Sequence, residues 1–382
     1  MKKIAVIGKG TAGSLTYNHF KHYTDFEIDV YYDSNKKEQA VGEGTTLNIP
    51  EELNITLGTE FHDLPKIDGN FKTSILYEGF GPTDYHHTFF MPNISIHMNA
   101  VKLQEYIYEK RKDEVNFIDK NIDDYNDIDA DYVIDCSGTP KDLSGDEYFA
   151  GEYIPVNTAL VKQCSWNSPQ FTHTLTKAMK NGWVFGIPLA NRISFGYLYN
   201  RDINNKKEIE EELDKLIHEY NLTNNLGSSH IEFNNYFKKQ NYTDRIAWNG
   251  NASFFLEPME ATSLATVEEI NRRIFDITHG VKSIEKANQE YYYWFKQVQD
   301  IITMHYLAGS KYDTEFWSHA KKLATECLSI KSPEWQRILY NLDNANFKLQ
   351  QSYGSWGMES VRQNVNNLGI RDLLWYLTTV KL

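Results

Sequence analysis

Two ionisable residues far apart in the chain have surroundings that suit acid–base chemistry. Lys72 lies among Phe71, Ile75 and Leu76, a pattern that predicts a strand and, if the strand is dry, a lysine whose pKa falls on burial. Glu260 follows a proline-set turn and precedes a predicted helix, where a carboxylate can lie beside a substrate. A strand lysine taken alone is more often a solvated surface residue, so companion motifs must decide its role.

The turn that carries Glu260 also predicts an anion site. Thr262 and Ser263 begin a segment that runs into residues 266–269, a capping-box pattern that predicts a helix start. The free N–H groups at a helix N-terminus favour an anion. If either carboxylate of the turn is an ordinary solvated residue, we expect it to be the second one, Glu257.

A glycine pattern near the N-terminus predicts a dinucleotide site. It joins a predicted strand, residues 3–8, to a predicted helix, residues 11–22, and a second predicted strand over residues 27–33 completes a βαβ unit. The first glycine allows the tight turn, the second lets a pyrophosphate approach, and the third lets helix and strand pack closely. The residues expected to hold the cofactor here are Gly8, Gly10, Thr11, Ala12, Gly13 and Asp33.

Composition limits the partners of the protein. A net charge of −13 over 382 residues argues against nucleic acid or an anionic membrane. The start of the chain imitates a signal peptide, but the glycines that follow make its apolar region too short for one. No apolar run approaches the roughly eighteen residues of a membrane span. Three distant cysteines predict neither a disulfide framework nor a metal site. We therefore expect a cytoplasmic protein with no metal, and a homodimer is compatible with the sequence.

The fingerprint alone does not choose between NAD and FAD, but later segments favour FAD. Residues 134–138, which end at Gly138, resemble the second cofactor-contacting strand of FAD monooxygenase-type flavoproteins. Gly250 and Asn251, which lead into Phe254, resemble the late segment that closes over the flavin ring in those proteins.

Several segments, in the same order, resemble the flavin-dependent tryptophan halogenases from residue 4 to about residue 320. The region after about residue 320 shows no specific match, and the chain is short for this family. The matching segments are VGEGTT at 41–46, NFKTSI at 70–75, GWVFGIPL at 182–189, FLEPMEAT at 255–262, ITMHY at 302–306 and TEFW at 314–317.

The resemblance implies an α/β fold. It would comprise an FAD-binding Rossmann-like module of the monooxygenase type with an interleaved antiparallel sheet, over residues 1–285, and a helical substrate-capping region over residues 286–382. Strand-like alternation over residues 152–199 and helical periodicity after residue 266 agree with this organisation. The further cofactor contacts implied are Val41, Gly42, Glu43, Gly138, Trp183, Ile187, Phe255 and Leu256.

The resemblance also implies an activity. A flavin hydroperoxide would oxidise chloride or bromide to hypohalous acid, which Lys72 would direct to an aromatic substrate, an indole above all, with Glu260 as the acid–base partner. A separate flavin reductase would supply FADH2. Thr262 and Ser263 would bind the halide. The substrate side would comprise His87, Phe89 and Phe185.

The chain departs from the family pattern at three positions. Phe185 replaces a tryptophan, Ala261 replaces a serine, and Ser263 replaces a glycine. These changes leave two alternatives open: an FAD-dependent aromatic monooxygenase, or a non-catalytic FAD-binding relative of the halogenases.

Overall fold

The structure is a computed structural model that describes residues 2–36, 42–89, 93–329, 333–343, 352–353 and 356–379. It divides into two compact units, each assembled from three stretches of chain. The first unit comprises Met1–Phe71, Ile94–Ala150 and Tyr236–Tyr293. The second comprises Lys72–Asn93, Gly151–Asn235 and Trp294–Leu382. The predicted boundary after residue 285 lies inside one long helix and stays a prediction.

The strands are numbered in chain order. They are β1 Lys3–Ile7, β2 Glu27–Tyr32, β3 Asn70–Lys72, β4 Ser74–Glu78, β5 Tyr85–Thr88, β6 Ser95–His97, β7 Asn116–Asp119, β8 Tyr132–Asp135, β9 Tyr148–Ala150, β10 Thr158–Ser165, β11 Thr174–Met179, β12 Gly182–Pro188, β13 Arg192–Tyr199, β14 Ser228–Glu232, β15 Tyr236–Lys238, β16 Ile246–Trp248, β17 Phe254–Phe255, β18 Ser352–Tyr353 and β19 Trp356–Gly357.

The helices are numbered in the same way. They are α1 Thr11–Tyr23, α2 Asn48–Leu57, α3 Ala100–Arg111, α4 Lys206–Glu219, α5 Thr262–Thr278, α6 Ile284–Ala308, α7 Glu315–Ser329, α8 Pro333–Asp343, α9 Met358–Asn367 and α10 Arg371–Thr379. Short 3₁₀ helices cover Phe61–Ile67, Tyr125–Asp127 and Gly250–Ala252. Within the described residues, no helix has both the length and the apolar character needed to cross a membrane.

A five-stranded parallel sheet forms the centre of the first unit. Its order is β16-β8-β1-β2-β7, and every neighbouring pair is parallel. Strand β1 is buried from Ile4 onward, as expected for a central strand covered on both faces. Helix α1 returns the chain from β1 to β2, so the predicted βαβ unit is confirmed.

A seven-stranded sheet forms the centre of the second unit. Its order is β14-β10-β13-β12-β11-β4-β5, and residues 158–199 supply four consecutive antiparallel strands, as predicted. The sheet is not purely antiparallel, because β11 pairs parallel with β4. Helix α4 packs on this sheet through Ile209, Leu213, Leu216 and Ile217, which are buried at helical spacing.

The segment that carries Lys72 differs from the sequence prediction. Residues 71–77 were expected to form one strand, but the structure divides them into β3 and β4, which belong to different sheets. The break falls at Thr73, whose backbone N–H donates to the carbonyl oxygen of Thr172. Apolar residues lie on both sides of the break, as they would in one continuous strand, so the sequence pattern did not detect the change of partner.

Candidate active site

Three glycines shape the turn between β1 and α1. Gly8 has φ +100°, and a Cβ on it would lie 2.5 Å from the carbonyl oxygen of Cys136. A Cβ on Gly13 would lie 1.9 Å from the carbonyl oxygen of Gly8, so helix and strand pack at a distance that only glycine permits. Gly10 has open space around the position of a Cβ, which leaves its backbone accessible to a ligand. This geometry is the one that the sequence predicted.

A buried asparagine brings the late segment of the chain to this turn. The Asn249 side chain donates to Thr16 Oγ1, to the carbonyl oxygen of Val267 and to Asn271 Oδ1, and its own Oδ1 accepts from the Gly250 N–H at 2.7 Å. A Cβ on Gly250 would meet the Ala12 side chain at 2.5 Å. Sequence reasoning found Gly250 but missed Asn249, because a buried polar residue becomes visible only once its partners are known.

The remaining predicted cofactor residues of the first unit lie on loops and strand ends. Asp33 directly follows β2, and its carboxylate accepts from the Asn35 N–H at 3.0 Å. Gly138 follows β8 with φ +103°, and open space surrounds the position of its Cβ. Phe255 is half-buried at the end of β17 and Leu256 is buried.

The loop that resembles the early flavin-side motif approaches α5. Gly42 has φ +86°, and a Cβ on it would lie 3.9 Å from the Leu264 side chain. Glu43 is buried, and its carbonyl oxygen accepts from the Met98 N–H at 2.9 Å. The third predicted residue of this loop, Val41, lies outside the described residues.

The turn before α5 differs from the sequence prediction in two ways. The helix begins at Thr262, so the expected capping box at residues 266–269 is wrong: Thr266 is inside the helix and its hydroxyl donates to the Thr262 carbonyl. The second correction concerns Glu257, the carboxylate favoured for a solvated position if either was solvated: it is fully buried, and Glu260 is buried to 96%. Leu256 and Met259 of the same turn are also buried, so most of the turn lies out of solvent.

The N-terminus of α5 carries no side-chain cap. The N-cap residue is Ala261, in the left-handed region at φ 53°, and its methyl group cannot accept a hydrogen bond. Thr262 is buried and Ser263 is half-buried in the first turn. The turn can therefore present backbone N–H groups to an anion.

The second unit holds Lys72 in a dry position. Lys72 is 1% exposed at the end of β3, so the predicted burial is confirmed. Its Nζ lies 5.8 Å from the centroid of the Phe89 ring, within cation–π range. The ring of Phe89 lies edge-on to that of His87, with centroids 6.2 Å apart. Lys72 and the two predicted substrate-side residues therefore occupy one region, whereas their catalytic and binding roles stay predictions.

Helix α9 completes this region, and sequence reasoning missed it. The Nε2 atom of His87 lies 2.7 Å from the Ser360 hydroxyl, and the Thr88 N–H donates to Gln363 Oε1 at 3.0 Å. Tyr85, on the same strand, donates to the Asn364 side chain at 3.1 Å. No motif marked residues 358–367, since these contacts are made by ordinary polar side chains at helical spacing.

Strand β12 carries the tryptophan signature on one face. Residues 183, 185 and 187 point to the same side, as alternate residues of a strand do. Trp183 is fully buried, and its indole N–H donates to the Tyr306 hydroxyl at 3.0 Å. Phe185 and Ile187 are half-buried, and the ring of Phe185 lies over Gly196, where a Cβ would come within 2.1 Å of it.

The two helical motifs support this strand. Tyr306 lies in α6, and Trp317 lies in α7. The indole N–H of Trp317 donates to the carbonyl oxygen of Met179 at 2.8 Å. His305 stacks on Tyr77 of β4, with ring centroids 4.7 Å apart. The two motifs thus contact the seven-stranded sheet through aromatic side chains and through the hydrogen bond of Trp317.

A cavity of about 460 Å³ in the first unit borders Gly138 and was not predicted. Lys238 lines it, with Nζ 4.2 Å from the Trp248 ring and 2.7 Å from a carboxylate oxygen of Glu147. Burial raises the pKa of Tyr148, also in the lining, to about 12. The cavity has a mixed polar and aromatic lining next to a predicted cofactor contact.

Comparison with known proteins gives the family of the chain. A family model described as tryptophan halogenase matches residues 3–126 and 108–332. The tryptophan 6-halogenase SttH of Streptomyces toxytricini is 23% identical over 246 residues, which cover 58% of this chain and 44% of that protein. The tryptophan 7-halogenase RebH of Lentzea aerocolonigenes is 25% identical over 210 residues, which cover 51% of this chain and 39% of that protein. The chain therefore matches less than half the length of these curated relatives.

Solved structures extend the likeness to the whole fold. Xcc4156, a flavin-dependent halogenase from Xanthomonas campestris, superimposes with a TM-score of 0.80 at 18% identity, over 98% of this chain and 93% of that one. This likeness shows the shared α/β architecture, including the Rossmann-like sheet. Because the family model covers most of its length, the chain belongs to the tryptophan halogenase family.

Proposed function

We propose that the protein is an FADH2-dependent halogenase that acts on an electron-rich aromatic substrate, most simply an indole. The observation that carries the proposal is the burial of Lys72, whose ammonium is 99% out of solvent beside the Phe89 ring, in an environment where lysine is seldom found. Membership of the family supplies the reaction class, and Lys72 is the residue through which the resemblance implies halogen transfer.

FAD fits the residues of the first unit. The glycine turn leaves the backbone open at Gly10, and the free end of α1 favours a pyrophosphate. Asp33 would hold the ribose, and Glu43, Gly138 and Phe255 would hold the rest of the cofactor. Bound FADH2, together with oxygen, would supply the oxidising power that converts a halide to hypohalous acid. A separate reductase would provide the FADH2.

The turn before α5 would bind the halide. It offers the uncapped N–H groups of Thr262 and Ser263, and the helix dipole adds to the attraction for an anion. Chloride and bromide both suit such a site, and Ser263 in place of glycine makes bromide the first ion to test.

Lys72 and Glu260 would carry the transfer. The Lys72 ammonium would donate a hydrogen bond to the hypohalous acid and make its halogen more electrophilic. Glu260, which is 4% exposed, would stabilise the cationic ring intermediate and take its proton. His87, Phe89 and Phe185 would pack on the substrate ring. Trp183, fixed by Tyr306, would keep the substrate away from the cofactor.

The test is a product screen. The full chain is incubated with FAD, a flavin reductase and NADH, together with chloride, bromide or iodide and a panel of indoles, and products are identified by mass spectrometry. We expect a monohalogenated indole whose formation requires both a halide and the reductase. Lys72→Ala should abolish this product while the protein still binds FAD.

One control variant and the identity of the products separate the alternatives. Lys177→Ala removes a half-buried strand lysine, paired with Glu78 in the same unit, and should leave halogenation intact. An oxygenated product formed without halide would favour a monooxygenase. FAD binding without product under every combination would favour a non-catalytic relative, and unchanged halogenation by Lys72→Ala would refute the mechanism.

A further inference from the structure

A cluster of three ionisable residues lies inside the first unit, apart from the residues of the proposed reaction. His19 belongs to α1, Glu52 to α2 and Glu268 to α5, and they are 4%, 5% and 1% exposed. His19 Nδ1 lies 3.4 Å from Glu52 Oε1 and 3.2 Å from Glu268 Oε2. The three atoms all lie within 4.8 Å of one another. The sequence shows no ligand motif for this cluster, because each of the three helices contributes only one residue to it.

The three facing atoms lack hydrogen bonds. His19 Nδ1, Glu52 Oε1 and Glu268 Oε2 are each buried and have no hydrogen-bond partner of acceptable geometry. The other carboxylate oxygen of Glu52 accepts from the Tyr23 hydroxyl at 3.3 Å, which fixes the orientation of that carboxylate. Buried ligand atoms without a hydrogen bond are unfavourable, and a group at the centre of the cluster would contact all three of them.

The charge of the cluster indicates the sign of that group. With a neutral imidazole the two carboxylates carry a formal charge of −2, and the nearby Arg272 is exposed at the surface. A divalent cation at the centre would balance the two carboxylates.

We propose that His19, Glu52 and Glu268 bind a divalent transition-metal cation, with zinc as the best fit. Bonds of about 2.0–2.1 Å at tetrahedral angles separate neighbouring ligand atoms by about 3.3–3.4 Å, close to the two nitrogen–oxygen separations in the cluster. One imidazole and two carboxylates match the nitrogen and oxygen donors that zinc accepts, and a water molecule would complete the tetrahedron.

The cation would have a structural role. Helices α1, α2 and α5 pack against one another in pairs, and the site would join all three near their middle. The N-terminus of α1 forms the glycine turn, and that of α5 forms the proposed halide turn. One ion would thus fix the relative position of two anion-binding helix ends. The proposal does not depend on the halogenase activity, because it rests on the cluster alone.

Metal binding can be measured without any assay of activity. The full chain is treated with a chelator and dialysed, then titrated with zinc chloride by calorimetry, and the melting temperature is followed in parallel. Cobalt(II) provides a spectroscopic test, since a tetrahedral site gives a visible absorption band. We expect one equivalent of zinc per chain, a rise in melting temperature and a cobalt band that zinc removes.

Glu52→Gln and Glu51→Gln form a matched pair on α2, because Glu51 is the exposed neighbour of Glu52. Glu52→Gln should weaken zinc binding at least about tenfold, whereas Glu51→Gln should bind as the unmodified chain does. The absence of stoichiometric zinc binding by the unmodified chain would overturn the proposal even if Glu52→Gln failed to fold. Equal weakening by the two substitutions would also overturn it.

Discussion

The glycine turn and strand β12 differ in which part of the chain they present: the first exposes backbone, and the second presents side chains. In the glycine turn, Gly8–Gly13, side chains are missing where the backbone must bend or approach another segment. In the tryptophan strand, β12, large side chains fill the space, and their polar atoms are paired, as Trp183 is with Tyr306. The first region offers its backbone to a ligand, and the second offers shape and a small number of buried polar groups.

This difference predicts how each region responds to substitution. A single added methyl group should disturb the glycine turn, because the atoms that it would meet belong to the backbone and cannot rotate away. In the second unit, removal of one functional group should change the chemistry or the stability by a limited amount and leave the fold in place. Four experiments test this contrast, from the largest expected effect to the smallest.

Gly13→Ala should have the largest effect. Its Cβ would lie 1.9 Å from the carbonyl oxygen of Gly8, so β1 and α1 must move apart. We expect a loss of at least about 2–3 kcal/mol in the free energy of unfolding, with no FAD binding detectable by fluorescence titration. The measurements are chemical denaturation and flavin titration.

Gly10→Ala is the matched control for the glycine turn. Its Cβ meets nothing within 4 Å, and its φ of −66° suits alanine. Stability should therefore change by less than about 1 kcal/mol, while FAD affinity falls because the methyl group enters the space left for the pyrophosphate. Equal destabilisation by the two substitutions would contradict a turn whose third glycine is required by packing.

Lys72→Met should separate oxidation of the halide from its delivery to the substrate. The substitution removes the ammonium and keeps an apolar side chain of similar length. We expect a decrease of about 10²–10⁴-fold in halogenated product, the range found for removal of a positioned proton donor. Hypohalous acid should still form and be captured by a diketone scavenger added to the solution.

The amount of hypohalous acid captured by the scavenger shows which step requires Lys72. If Lys72→Met abolished both the product and the free hypohalous acid, Lys72 would be needed for oxidation of the halide rather than for its delivery. The division between the two regions would then be wrong.

The sequence predicted the glycine turn well because its signals are local. Strand, turn and helix follow one another within residues 3–23, and each glycine has a steric role that its position specifies. The same holds for the antiparallel strands of residues 158–199, whose alternation is directly visible. In these segments local pattern and final structure agree.

The errors arose where long-range contacts decide the structure. Glu257 was the carboxylate favoured for a solvated position, because turn carboxylates usually lie in water, but it is fully buried. The break at Thr73 depends on Thr172, almost one hundred residues away, and the contacts of α9 with His87 span more than two hundred. The fold class could be predicted from the sequence, whereas the surroundings of most site residues could not.

Trp183→Phe and Tyr306→Phe together measure the polar pairing in the tryptophan strand. Each removes one side of a buried hydrogen bond of 3.0 Å, and each alone should reduce the free energy of unfolding by about 1–3 kcal/mol. The double variant should lose less than the sum, with a coupling energy of about 1 kcal/mol in a double-mutant cycle.

A second cycle provides the control. The indole N–H of Trp166 donates to the carbonyl oxygen of Leu189 at 2.9 Å, so Trp166→Phe removes a comparable hydrogen bond at a different place in the same unit. Trp166→Phe and Tyr306→Phe should be additive within about 0.5 kcal/mol. A coupling as large as that of Trp183 with Tyr306 would indicate a general loosening of the sheet.

Ala261→Gly should have the smallest effect and should stabilise the protein. Ala261 has φ 53°, in the left-handed region that costs a residue with a Cβ about 1–2 kcal/mol. Glycine removes that strain but adds freedom to the unfolded chain, which offsets about 0.4–1 kcal/mol, so a net gain of at most about 1 kcal/mol is expected in chemical denaturation. Ala265→Gly, in the interior of the same helix, should instead destabilise by about 1 kcal/mol. Opposite signs would show that the turn before α5 retains a strain that the glycine turn avoids by its residue choice. Equal destabilisation would mean that the Ala261 methyl group makes contacts that outweigh the strain, and the two turns would then differ in packing rather than in backbone conformation.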